Sequence, residues 1–77
     1  MNTTLDRVNK VVLYVVPELD RAPEPADLFS GDLEVDSLSI VEIMTNIEKE
    51  FGVAFEDEEV VAVESVQDIL DLIQRRH

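Results

Sequence analysis

The sequence contains no cysteine, and its single histidine, His77, is the last residue. Without cysteine there is no disulfide staple, no thiolate metal site and no thiol nucleophile. One terminal histidine leaves nothing from which to build a buried Ser-His-Asp triad or a multi-histidine zinc centre. Two glycines and three prolines in 77 residues give little punctuation, which suits a few helices better than many short strands. The longest apolar run, Val11 to Val16, is six residues, whereas a membrane span needs about 20 and a signal-peptide core at least about 7. No basic stretch precedes that run in Met1-Asn2-Thr3-Thr4, so the expected location is cytoplasmic. Basic residues are also scarce, six against 18 acidic ones, for a net charge of −12. Residues 1–30 hold five acids and three bases, and residues 31–77 hold thirteen acids and three bases. Such a field repels phosphate backbones and anionic lipid. Nucleic acid and membrane are therefore not expected as partners, and basic protein surfaces are.

What is present reads as one small domain spanning 1–77, with a core that is thin for its length. At 45% apolar, the chain is too hydrophobic to be a disordered acidic tail. A first helix is expected from Thr3 or Thr4, with Thr3 and Asp6 as a capping-box-like start and Leu5, Val8, Val12, Val15 and Leu19 on its buried face. Pro17 ends it. Residues 17–35 form a long connection with an apolar anchor at Asp27-Leu28-Phe29. A second helix is expected from Ser37 to Phe51, capped by Asp36 and stopped by Gly52, with Ile40, Ile43, Met44, Ile47 and Phe51 on its inner face. Ser39 and Glu42 form a competing capping box one turn further in. A short helix is expected around Glu58 to Ala62, started by Glu56 or Asp57. Ser65 and Asp68 open a last helix that buries Val66, Ile69, Leu70 and Ile73 and ends in Arg75 and Arg76, which complement its dipole. The expected fold is all-α, a small four-helix bundle of three main helices and one short one.

The segment Asp36-Ser37-Leu38 is the candidate site. With Ile40 set at zero and about 100° per residue, Leu38 falls near 160° and Val41 near 100°, away from the buried face. A serine at a helix start beside exposed apolar residues is either incidental or presented to a partner. Ser37 has no base to activate it and no G-x-S-x-G elbow around it, so hydrolysis is excluded. A phosphoryl group on that serine would instead meet free backbone N–H groups and the positive end of the dipole. Asp32, Glu34 and Asp36 alternate like calcium ligands, but the sixth position from Asp32 is Ser37 and the twelfth is Ile43, which fails the EF-hand pattern. The cluster Glu56-Asp57-Glu58-Glu59 is either a solvated helix start or part of an acidic partner-facing surface.

These residues, Asp32-Leu33-Glu34-Val35-Asp36-Ser37-Leu38 followed by Val41-Glu42 and Ile47-Glu48-Lys49-Glu50-Phe51-Gly52, resemble the acyl carrier proteins, and the likeness runs from Val8 to Ile73. The resemblance implies a protein that is not an enzyme, with 4′-phosphopantetheine from coenzyme A attached to Ser37 by a phosphopantetheinyl transferase. Acyl groups would ride on the arm as thioesters, which supplies the chemistry that the chain lacks. Asp36 matches the acid beside the modified serine. Leu38, Val41, Glu42 and Glu48, with Asp57 and Glu58 on the short helix, would form the docking surface for acyl-loading and ketosynthase-type enzymes. A pocket for the acyl chain would map to Phe29, Ile43, Ile47, Phe55, Val60, Val63 and Ile69, residues that a plain core would also use.

Several positions depart from the family pattern. Glu34 replaces a glycine, Ser39 and Lys49 stand where acids are frequent, Thr45 replaces an exposed apolar residue, and Val61 and Ala62 make the short helix more apolar. These changes point toward a specialised polyketide-type pathway rather than general fatty-acid biosynthesis. The starting Met1 and the short ends suggest a discrete, monomeric protein. An aminoacyl or peptidyl carrier shares the same fold and arm. An unmodified acidic adaptor is the rival of another class.

Overall fold

A computed structural model describes residues 3–76. Among these residues there are four helices, α1 (Thr3–Val15), α2 (Ser37–Phe51), α3 (Asp57–Ala62) and α4 (Val66–Arg76), and no strands beyond one isolated bridge between Leu28 and Ser65. None of these helices is long and apolar enough to cross a membrane. The all-α bundle is as expected. α1 packs on α2 and α4, and α3 packs on α2.

The core follows the helical spacing. Val8 and Val12 of α1, Ile43, Met44 and Ile47 of α2, and Val66 and Ile69 of α4 are fully or almost fully buried. Leu5, Val15, Leu19, Ile40 and Phe51 pack around them at the margin. The Thr3 side chain, expected to cap α1, lies outside the described ones. One assignment in α4 changes. Leu70, expected in the buried stripe, is half-buried, and Leu72 is buried instead. Leu72 lies under α3 beside Val63, while Leu70 faces the groove that Leu5 and Pro25 line, so the stripe is rotated toward the short helix.

The long connection is tied down at several points. Phe29 is fully buried, and its amide donates to the Glu64 carbonyl at 2.9 Å. Burying a side chain of this size stabilises the fold by about 1.5–3 kcal/mol. The Gln67 amide donates to the Pro25 carbonyl at 2.9 Å, and the Val35 amide to the Phe29 carbonyl at 2.6 Å. Arg21 pairs with Asp27 at 2.6 Å, and this guanidinium holds the Asp27 carboxyl below its usual range. Leu33 and Val35 then point inward between exposed Asp32, Glu34 and Asp36. The alternation of acids is thus the outer face of the turn and short connection that lead into α2.

Candidate functional site at the start of α2

Asp36 caps α2 as expected. Its backbone is extended, at φ −78° and ψ 167°, and its side chain accepts the Ser39 amide at 2.8 Å. That bond, joined by one from the Ser39 hydroxyl, holds the Asp36 carboxyl below its usual range. The competing Ser39–Glu42 box is not used. The Ile40 amide donates to the Asp36 carbonyl at 3.1 Å. The amides of Ser37 and Leu38 make no hydrogen bond among the described residues, and neither does the Ser37 hydroxyl. Ser37 is exposed, Leu38 is 72% exposed and Val41 47%. Glu42, Thr45 and Lys49 continue the same outward stripe. At the other end Gly52 adopts φ 66°, and its amide closes the helix on the Glu48 carbonyl.

The remaining candidates separate into three groups. Asp57 and Glu58 are exposed on the first turn of α3. Glu48 is half-buried, and its carboxylate accepts the Phe55 amide at 2.7 Å, so it tethers the loop between α2 and α3. Phe29, Ile43, Ile47 and Ile69 are completely buried, Val63 nearly so, and Phe55 and Val60 pack at the edge. These seven belong to a packed core, and a chain sheltered among them requires them to part. Val63 also lines a recess of about 290 Å³ between α3 and α4, rimmed by Glu58, Glu59, Asp68 and Asp71.

Two features were missing from the sequence reading. Arg76, read only as a dipole partner, bonds Glu59, donates to the Ala54 carbonyl at 3.0 Å and lies 5.8 Å from the Phe55 ring centre. It ties α3 and its acids to the end of α4. Glu34 sits at φ 54°, in the left-handed region that favours glycine. The glycine-to-glutamate departure noted at this position is therefore a backbone event as well as a charge change.

Comparison with known proteins decides the family. A profile for the phosphopantetheine attachment site matches residues 10–73. An acyl carrier protein of Thermosynechococcus vestitus is 40% identical over 72 residues, covering 90% of this chain and 89% of that protein. The chain belongs to the acyl carrier protein family. Another member, from Myxococcus xanthus, is 44% identical over 50 residues, 65% of this chain and 63% of that one. A solved structure from Mycobacterium tuberculosis, itself only provisionally assigned to the carriers, superposes with a TM-score of 0.84 over 92% of this chain and 95% of that one, at 21% identity. That likeness establishes the shared fold.

The family cofactor is 4′-phosphopantetheine, and the start of α2 fits it. An exposed hydroxyl free of hydrogen bonds is available for a phosphodiester. The unbonded amides of Ser37 and Leu38 and the positive end of the helix dipole would favour a phosphate at this end of α2. The adjacent carboxylate of Asp36 is already turned to the Ser39 amide.

Proposed function

We propose that Ser37 carries phosphopantetheine and that this chain is a monomeric cytoplasmic carrier. It ferries acyl groups between enzymes and catalyses nothing itself. The observation that carries this reading is the unengaged Ser37 hydroxyl at the first position of α2, between a capping Asp36 and an outward Leu38. When bound, the group supplies a thiol that holds cargo as a thioester, a function this cysteine-free chain has no residue to perform.

The chain's own residues do the rest. Asp36 fixes the first turn, so the Ser37 and Leu38 amides are held ready for the phosphate. Glu42, Asp57 and Glu58 steer the domain toward basic enzyme surfaces, which gives fast and salt-sensitive encounters. Leu38 and Val41 add apolar contact beside the serine. Glu48 acts through the loop it tethers rather than as a free docking charge. The partners are a phosphopantetheinyl transferase and acyl-loading and ketosynthase-type enzymes. Thr45, Lys49, Val61 and Ala62 alter the docking face from the usual family pattern and favour a specialised polyketide-type pathway over general fatty-acid synthesis.

The test is Ser37→Ala in the producing cell. Ser37 is not the cap, so the variant keeps the fold, with stability within about 0.5 kcal/mol. Product formation is abolished. A working Ser37→Ala variant would contradict the carrier reading and favour the unmodified adaptor.

A further inference from the structure

Three of the chain's six basic residues, Arg7, Lys10 and Lys49, line one recess of about 470 Å³ between α1 and α2. Residues 7, 10 and 14 share one face of α1, and residues 49 and 50 meet them from the last turn of α2. Arg7 is committed to the wall. It donates to the Glu50 carboxylate at 2.9 Å and to the Glu50 carbonyl at 2.8 Å, and it stacks 4.2 Å over the Phe51 ring. Lys10 and Lys49 are exposed and pair with no carboxylate among the described residues. Tyr14, 76% exposed, borders them. In a chain of net charge −12, this recess holds three cations against one carboxylate.

We propose that this recess is a second docking surface, which receives a carboxylate-rich segment of a protein partner. The inference goes beyond the carrier reading, whose docking face is acidic, and does not depend on modification of Ser37. The recess does not suit a free phosphate. Its α1 residues are mid-helix and offer no free backbone amides to a compact anion, so binding rests on the Lys10 and Lys49 ammoniums and suits a segment that brings more than one carboxylate. An exposed tyrosine offers the flat, amphipathic contact that protein interfaces favour. At physiological ionic strength charges farther than about 8 Å are largely screened, so the local cations outweigh the distant acids.

The recess also extends the outer stripe of α2. Leu38, Glu42, Thr45 and Lys49 lie along one face, about 18 Å long from Ser37 to Lys49. Its charge changes from acidic beside Ser37 to basic at the far end. A partner matching both ends carries bases near its active-site entrance and acids further away, which fixes the orientation in which the carrier docks.

The experiment is a titration of the isotope-labelled, unmodified protein with a short peptide of alternating glutamate and leucine, at physiological ionic strength, followed by amide chemical shifts. The expected shifts are saturable and confined to residues 7–14 and 46–50. Lys10→Glu with Lys49→Glu weakens binding roughly tenfold, as reversing two exposed pairs should. Lys10→Gln with Lys49→Gln gives a smaller loss with the same fold. Absent or scattered shifts would overturn the proposal, as would unchanged affinity in both double variants. The same shifts produced by inorganic phosphate at the same concentration would also overturn it, since the recess would then be a general anion site.

Discussion

Glu34 occupies the left-handed region at φ 54°, and Gly52 occupies it at φ 66°. An L-residue there crowds Cβ against the following carbonyl, at a cost of roughly 1–2 kcal/mol. Glycine escapes that cost but loses about 0.4–1 kcal/mol more backbone entropy than alanine on folding. At position 34 the balance makes Glu34→Gly more stable than Glu34→Ala by about 0.5–1 kcal/mol, or roughly 2–8 °C in a domain of this size. The alanine variant removes the same charge from a segment flanked by Asp32 and Asp36, so comparing the two isolates the backbone strain. Gly52→Ala tests the same physics in reverse. A Cβ at Gly52 meets no atom within 4 Å, so its expected destabilisation of about 0.5–1 kcal/mol comes from the backbone alone. Gly31 is the control. A Cβ there lies 3.6 Å from Leu28 Cβ without positive φ, so Gly31→Ala is neutral or slightly stabilising. Urea denaturation with far-ultraviolet circular dichroism gives all four values. Equal stabilities for Glu34→Gly and Glu34→Ala would refute the reasoning.

Three further outcomes follow from the structure. Arg76→Ala removes the Glu59 pair, the Ala54 bond and the Phe55 contact together. These groups are partly exposed, so the global loss is about 1 kcal/mol or less, but hydrogen exchange in α3 accelerates by more than in α2; uniform protection in both helices would count against the staple. Glu42→Lys slows modification of Ser37 by a transferase and flattens its salt dependence without changing the melting temperature, and an unchanged rate would remove acidic steering from the account. The Asp36 carboxyl titrates below its usual range because the charged form accepts the Ser39 amide. Its contribution is therefore present above the unfolded value of about 3.9 and is lost as pH falls through the lower folded value. Wild type should lose more stability than Asp36→Asn between about pH 6 and pH 2, and parallel thermal melts across that range would contradict the cap's role.

The bounds of α2 were legible because both ends carry local signals, a capping aspartate and a left-handed glycine. The outward turn of Leu38 was legible from helical rotation alone. Leu33 and Val35 were not recognised as core, because their period-two pattern lasts only a few residues and its acids attract attention first. The burial of Leu72 over Leu70 depends on where α3 lies, which no feature within α4 encodes. The tether made by Glu48 has no local signal, because its partner is a backbone amide seven residues away, across a turn. Arg76 reaches back 17 residues to Glu59 and 22 to Ala54, beyond any local periodicity. The cationic recess is visible only when α1 and α2 are laid side by side. The expected pocket residues are apolar and buried, and both a plain core and a pocket demand that, so neither sequence nor burial separates the two roles.

The central claim is that Ser37 is the attachment point. The most direct measurement is the intact mass of the protein before and after incubation with coenzyme A, magnesium and a broad-specificity phosphopantetheinyl transferase. The account predicts a gain of one phosphopantetheine, mapped to the peptide containing Ser37 and absent from Ser37→Ala. No gain on the folded protein, while a control carrier in the same reaction is fully loaded, would contradict it.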